Sequence, residues 1–185
     1  MKKVFLPLAI FIFCFFLTQP FQATAQSMTM NDVQAQMVKD WERAKAYTID
    51  YLNTMPADKY SFKPVDSIRS FAQQMLHLAG ANFFLMFSGT GIAMPGIARQ
   101  DLEQSPGAQA KDSVMYFVTA SYDYCINAVK TFDMAKWGEP KEIFGMKTTA
   151  YGLMIKTFEH QTHHRGQTTI YIRLQGIKPP QERLF

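Results

Sequence analysis

The histidines are the residues whose types and spacing point most directly to chemistry. The 185-residue chain has four of them, and three, His160, His163 and His164, fall within five positions. On a helix, residues four apart lie on one face about one turn apart, so two imidazoles with that spacing can bind one metal ion. His163 follows His160 by three positions and shares its face, so two pairings are open. An exposed polar patch without metal is the alternative interpretation.

The fourth histidine, His77, lies far upstream in a separate helical segment. Metal sites in helix bundles are assembled from side chains on facing helices, so His77 can supply a third ligand. Three protein ligands leave at least one coordination position open, which is typical of catalytic rather than structural sites. A water molecule held there has its pKa lowered to about 7 and becomes a nucleophile. The pattern therefore favours metal-assisted chemistry.

Four helical segments are available to position these histidines. Apolar residues recur at steps of three and four, which predicts helices over about 31–55, 70–86, 112–132 and 149–174. No segment shows a convincing strand pattern. Four amphipathic helices of this length need a shared core, so the predicted fold class is all-α, a four-helix bundle. The connection over 87–111 is long enough to run back along a helix, which makes the topology up-down-down-up.

The connection over 87–111 contains three apolar residues, Ile92, Met94 and Ile97, among several glycines. A fully solvated loop has no need of such side chains, and long connections in compact domains commonly serve function. We therefore expect Ile92, Met94 and Ile97 to cover the mouth of the metal cavity. The alternative is a crossover that packs on the outside of the bundle, away from the histidines.

Two glycines and one cysteine stand out within the helices. Gly152 and Gly166 lie inside the last predicted helix, where glycine is unfavourable by about 1 kcal/mol relative to alanine. Close packing or a site is expected at both. Cys125 lies on the apolar stripe of the third helix, so we expect it to be buried and not to act as a nucleophile.

The first 25 residues have the three parts of a secretory signal. Lys2 and Lys3 precede an apolar run over 4–17, and Ala23-Thr24-Ala25 follows as a small-residue cleavage site. The run is shorter than the roughly 20 residues that a membrane-spanning helix needs, so an uncleaved anchor is the weaker interpretation. We expect residues 1–25 to be a signal peptide and residues 26–185 to be one exported domain, periplasmic or extracellular and free of the membrane.

Charge and cysteine content exclude several other functions. Loss of Lys2 and Lys3 with the leader reduces the formal charge from +4 to +2, and basic residues are interspersed with acidic ones. So small a charge gives little long-range attraction for phosphates, and no nucleic-acid partner is expected. Of the two cysteines, Cys14 leaves with the leader, so the mature chain cannot form an internal disulfide. The oligomeric state is open, a homodimer included.

Three short motifs resemble the DinB family. They are the segment HQTHHRGQ over 160–167, the segment YSFKP over 60–64, and His77-Leu78-Ala79. The resemblance spans nearly the whole mature chain and implies an up-down-down-up four-helix bundle that binds one divalent metal ion. Carried over to this sequence, the family's metal ligands are His77, His160 and His164. His163 is then placed beside the site or on the surface.

The resemblance also bears on activity. The DinB family includes thiol S-transferases that use bacillithiol, mycothiol or glutathione, so it implies a metal-dependent hydrolase or transferase acting on an unknown small molecule. A non-catalytic metal- or ligand-binding bundle is the alternative. Imidazole ligands suit several transition metals, of which zinc or nickel is expected here. No acid or base residue is assigned: Glu159 points away from His160 along the helix, and Asp123 and Glu42 lie on other helices.

Overall fold

The structure, a computed structural model, describes residues 27–99 and 101–185. The predicted signal peptide, residues 1–25, lies outside the described residues. Four long helices dominate the described part: α1 (Met30–Thr54), α2 (Phe71–Thr90), α3 (Lys111–Thr131) and α4 (Ala150–Leu174). None of the helices in this part of the chain is long and apolar enough to cross a membrane. The all-α fold predicted from periodicity is confirmed.

Contacts between α1 and its two neighbours give their relative directions. Tyr51 of α1 lies 2.9 Å from Thr169 of α4 through their hydroxyl oxygens, and Trp41, further back in α1, packs on Phe158, further back in α4. These two helices are therefore parallel. In contrast, Gln34 near the start of α1 donates to the carbonyl of Val129 near the end of α3, so α1 and α3 are antiparallel.

The second pair of contacts completes the topology. Gly89 at the end of α2 lies against Ala150 and Leu153 at the start of α4, whereas His77 lies beside His164 further along α4. Helix α2 is therefore antiparallel to α4 and parallel to α3, which is the up-down-down-up arrangement. Helix α1 packs mainly on α3 and α4, and α2 packs on the same two helices. Helices α1 and α2 thus sit diagonally across the bundle, as do α3 and α4, whereas α2 and α3 are side by side.

The core is formed by large side chains from all four helices. Trp41 and Tyr122 meet edge to face with ring centroids 5.7 Å apart, and Leu52, Phe71 and Met154 are fully buried. Burial on this scale is the main favourable contribution to folding, at about 1.5–3 kcal/mol for each large apolar side chain. Cys125 is completely buried, as expected, and burial raises the pKa of its thiol well above the usual value.

A β-hairpin precedes α4, although the sequence shows no convincing strand pattern there. Strand β1 (Pro140–Ile143) pairs antiparallel with β2 (Met146–Thr149), with Ile143 opposite Met146. The two turn residues, Phe144 and Gly145, both have positive φ, 52° and 75°. Positive φ at both positions matches the right-handed twist of a two-residue hairpin. The hairpin tip lies close to α2, where Phe144 packs against Phe84.

The long connection follows a different path from the one predicted. Helix α2 continues to Thr90, four residues beyond the predicted end, so residues 92–97 begin about 20 Å along the axis from His77. Ile92, Met94 and Ile97 pack against the core, and the wall of the cavity beside His77 contains none of them. Their assignment as the cover was wrong. The connection reaches this cavity later, through Asp101, Leu102 and Glu103.

The two glycines of α4 differ in their surroundings. A methyl group on Gly152 would overlap the Thr148 side chain, so the expected close packing is confirmed there. A methyl group on Gly166 would meet no atom within 4 Å, so that expectation was wrong for Gly166. Gly166 is exposed on the surface of the helix.

Candidate metal centre

Three histidines from two antiparallel helices converge in the structure. His160 and His164 lie one turn apart on α4, and His77 faces them from α2. Each offers one ring nitrogen such that all three nitrogens lie within 4.8 Å of one another. The ring centroid of His77 is 5.3 Å from that of His160 and 4.6 Å from that of His164. The residues predicted as ligands are thus brought together.

The orientation of the rings directs their Nε2 atoms inward. His160 Nε2 and His164 Nε2 are 3.1 Å apart, whereas the Nδ1 atoms of both rings are buried without a hydrogen-bond partner among the described residues. Two nitrogens each about 2.0–2.1 Å from one zinc ion would lie this far apart at a nitrogen–zinc–nitrogen angle of about 100°, which is close to the tetrahedral angle. The nitrogen donor set and its spacing therefore fit a divalent transition metal ion.

Burial and charge both keep two of these imidazoles neutral. Burial is the larger cause and lowers the pKa of His160 to about 4 and that of His164 to about 3. Positive charge on neighbouring groups, chiefly His77 for His160 and His160 for His164, lowers both pKa values further. Only a neutral imidazole has a lone pair free for a metal ion. The fold thus holds these two side chains in the form that binds metal.

Glu103 is a residue of the candidate site that the sequence did not indicate. Its Oε2 lies 3.0 Å from His77 Nδ1, and its Oε1 accepts a hydrogen bond of 2.6 Å from Arg69 Nε. With Nδ1 engaged, His77 has only Nε2 free to face His160 and His164. Carboxylates that hydrogen-bond metal-binding histidines fix the tautomer and the ring orientation. Glu103 therefore orients the His77 ring toward His160 and His164.

His163 and Glu159 lie outside the cluster. The His163 side chain is exposed and is hydrogen-bonded to Gln167, with 2.9 Å between its Nε2 and the amide Nε2. Glu159 is exposed and pairs with Lys156, which lowers the pKa of the carboxyl group. The prediction that Glu159 points away from His160 is consistent with this geometry.

The other two acidic residues considered from sequence also lie elsewhere. Asp123 pairs with Lys45 at 2.6 Å, and Glu42 pairs with Lys130 at 2.9 Å. Both are surface ion pairs that link α1 to α3, on helices that do not carry the histidines. Neither residue is a candidate for proton transfer at the site.

Arg165 turns into the bundle, away from the histidine cluster. Its guanidinium donates to Gln161 Oε1 at 3.0 Å and stacks over the Tyr47 ring, 4.7 Å from the centroid. Gln161 Oε1 also accepts a 2.7 Å hydrogen bond from the Tyr122 hydroxyl. No ion pair joins Arg165 to a carboxylate in the described part of the chain. The side chain therefore links α4 to α1 and α3 within the core.

Open space adjoins the histidines on the hairpin side. A cavity of about 420 Å³ is lined by His77 and His160 together with Asp101 and Glu103 of the connection. A ligand of small-molecule size fits this volume. Asp101 is exposed and is the one carboxylate of this wall with no ion pair among the described residues.

The fold and the site together define a class: a four-helix bundle with a three-histidine cluster between two antiparallel helices. The DinB family profile matches residues 28–183, and the chain belongs to the DinB family. The resemblance noted in the sequence is thus confirmed. No curated protein sequence matches the chain significantly.

Two solved structures show the same fold. A DinB-like protein from Bacillus cereus ATCC 10987 superposes with a TM-score of 0.68 at 18% identity, covering 80% of this chain and 95% of that one. A DinB-like protein from Bacillus subtilis gives a TM-score of 0.56 at 16% identity, covering 81% of this chain and 96% of that one. At these identities the likeness extends to the fold alone.

Proposed function

We propose that this chain is an exported, metal-dependent hydrolase of a small molecule, with one divalent transition metal ion held by His77, His160 and His164. The convergence of three ring nitrogens within 4.8 Å, from helices that the fold brings face to face, carries the proposal. Zinc or nickel is the proposed ion, because both accept imidazole ligands.

The proposed chemistry depends on the number of protein ligands. A divalent ion held by His77, His160 and His164 would keep at least one coordination position open, and it would supply Lewis acidity and lower the pKa of a water molecule bound at that position to about 7. The chain's own contribution is to hold the imidazoles neutral and to fix the His77 ring through Glu103. The cavity beside His160 gives a substrate access to that position.

A base is also needed for hydrolysis, and Asp101 is the residue we propose for it. Glu103 is nearer to the histidines, but His77 and Arg69 both engage its carboxylate. Asp101 lines the same cavity and is exposed, so its carboxylate is free to exchange protons with a water molecule there.

Hydrolysis is preferred to thiol transfer because of the proposed location. Residues 1–25 have the features of a cleaved leader, and low-molecular-weight thiols are mainly cytosolic. A transferase that needs such a thiol would lack its co-substrate after export. The engagement of Glu103 by two partners favours the second candidate, a bundle that binds metal without turnover.

Metal analysis of purified residues 26–185 tests the proposal. We expect one zinc or nickel ion per chain in the wild type, and loss of stoichiometric metal in His77→Ala, His160→Ala and His164→Ala. His163→Ala is the matched control, because it removes an imidazole from the same helix outside the cluster and should retain the ion. Loss of metal in His163→Ala together with retention in His164→Ala would contradict the ligand assignment.

Activity separates the two candidate functions. The metal-loaded wild type should hydrolyse one or more activated esters or amides, and Asp101→Asn should lower kcat while the metal content stays unchanged. A fully loaded protein without turnover on a broad ester and amide panel would favour the non-catalytic bundle.

A further inference from the structure

Phe144 at the tip of the hairpin occupies a backbone position that does not suit it. Its φ is 52°, in the left-handed region, and Gly145 follows with φ of 75°. A turn of this shape strongly prefers Asn-Gly or Asp-Gly, and a bulky residue at positive φ is an outlier. The Phe144 side chain is also 76% exposed, so burial does not offset the strain. Strained residues of this kind cluster at functional sites.

The surroundings of Phe144 connect it to the histidines. Its ring packs against Phe84 of α2, with centroids 5.9 Å apart, and Phe84 is itself 45% exposed. Two cavities of about 420 and 590 Å³ adjoin Phe144, and Leu85, Phe144 and His160 line both. The exposed aromatic pair therefore adjoins the metal centre directly. We call this region the Phe84–Phe144 cleft.

The walls of the cleft are largely apolar. Besides the two phenylalanines, they include the apolar residues Leu76, Leu85, Leu102, Ile143, Met146 and Leu153. Charged side chains also line them, Asp101 and Glu103 in the smaller cavity and Lys147, Lys156 and Glu159 in the larger one. Volumes of this size hold small molecules, and sites for them are lined mainly by apolar and aromatic side chains.

Another cavity lies near the start of α2. Its volume is about 630 Å³, its walls mix Arg69, Gln74 and Gln167 with Ile68 and Ile170, and no histidine lines it. The two cavities of the Phe84–Phe144 cleft, in contrast, are both lined by His160. An apolar group of a ligand that meets the histidines is therefore placed on the hairpin side.

We propose that the Phe84–Phe144 cleft binds a straight-chain acyl group of a small molecule whose polar head lies against His77, His160 and His164. This inference rests on the proposed metal site and specifies its substrate class. Phe144 and Phe84 are specificity-determining residues in this arrangement, because they contact the apolar group and not the reacting atoms.

A series of straight-chain hydroxamic acids, from acetohydroxamic to octanohydroxamic acid, tests the proposal by calorimetry on zinc-loaded protein. The hydroxamate group binds the metal in every member, so only the chain varies. We expect affinity to rise about threefold to fourfold per added methylene until the cleft is filled, from about 0.8 kcal/mol per buried CH₂. Phe144→Asn should abolish this dependence, so that octanohydroxamic acid binds no more tightly than acetohydroxamic acid.

Phe144→Asn is a clean variant, because asparagine suits positive φ and the turn should form at least as well as in the wild type. Phe84→Ala gives a second test on α2 and should also flatten the dependence on chain length. The matched control is Tyr116→Ala, which removes from α3 an aromatic side chain whose exposure lies between those of Phe84 and Phe144, on a helix that carries no histidine. Tyr116→Ala should leave the affinities for all the hydroxamic acids unchanged.

The outcomes separate the cleft from the metal site. If acetohydroxamic acid binds but affinity is independent of chain length, the cleft proposal is overturned and the metal site stands. If zinc does not bind, the apolar dye N-phenyl-1-naphthylamine tests the cleft in metal-free protein, where loss of its fluorescence in Phe144→Asn supports the cleft although the proposed function has failed. A wild-type dimer that becomes monomeric in Phe144→Asn identifies a self-association surface and overturns the proposal.

Discussion

The carboxylate of Glu103 lies 3.0 Å from Nδ1 of His77, although 26 residues of chain separate them. Arg69, at the entrance to α2, holds the other carboxylate oxygen at 2.6 Å. The long connection thus delivers a side chain that orients a histidine of the neighbouring helix. The contact joins the path of the connection to the geometry of the metal centre.

Replacement of Glu103 should weaken metal binding without removing a ligand. We expect Glu103→Ala to lower metal affinity by about tenfold to a hundredfold, since the His77 ring loses the partner that fixes its orientation. Glu103→Gln should lower metal affinity less, because its amide oxygen still accepts a hydrogen bond from His77 Nδ1. Competition titration with a chromogenic chelator measures both affinities.

Glu159→Gln is the control for this pair of variants. Glu159 is exposed on α4 and pairs with Lys156, so its replacement removes a carboxylate near the cluster without touching a histidine. It should bind metal as the wild type does. Wild-type affinity in Glu103→Ala would show that the contact with His77 does not position the ring.

The stability of the metal-free protein should depend on pH through His160 and His164. Their folded-state pKa values of about 4 and about 3 lie below the usual 6.5, so the unfolded chain binds more protons in between. The contribution of the two neutral imidazoles to the free energy of unfolding is fully present above about pH 6.5 and is lost as pH falls toward 4. Guanidinium unfolding in EDTA measures the free energy of unfolding at pH 7.5 and pH 5. Between these two pH values it should fall more for the wild type than for His160→Gln/His164→Gln. Equal falls would contradict the shifts.

Export predicts a defined mature start. The basic residues Lys2 and Lys3, the apolar run over 4–17 and the small residues at 23–25 place cleavage after Ala25, so the mature protein should begin at or near Gln26. N-terminal sequencing of protein from the native host checks this. An intact Met1 on a membrane-bound product would rule out cleavage.

The helices and the pairing of His160 with His163 or His164 could be predicted from sequence because they depend on local periodicity, whereas the resemblance to the DinB family singled out His77 and His164. Long apolar repeats define α1, α3 and α4 within a few residues, and the spacing of His160 and His164 places two imidazoles together on any helix. Contacts that depend on the path of the chain could not be predicted. Glu103 meets His77 only because the connection returns past α2, and nothing in its spacing signals that.

Two other misses have local causes. The strands of the hairpin are four residues each, too short for an alternating pattern to be distinguished, and the Phe144-Gly145 turn lacks the usual asparagine signal. The sequence predicts that α2 ends at about residue 86, four residues too early, because Gly89 and Gly91 indicate a loop. Gly91 does end the helix, with φ of 70°, whereas Gly89 is helical and lies against α4.

Gly89 and Gly166 should respond to alanine in opposite directions. Gly166→Ala should raise the free energy of unfolding by about 0.5–1 kcal/mol, because alanine favours the helix and its methyl group meets nothing within 4 Å. In Gly89→Ala the methyl group would lie 3.1 Å from Leu153 Cβ and 3.2 Å from the Ala150 carbonyl oxygen, positions that the α4 backbone fixes. Overpacking costs about 1–3 kcal/mol and should outweigh the gain in propensity, so this variant should be less stable. Guanidinium unfolding measures both, and an equal gain in the two variants would refute a rigid close approach of α2 to α4.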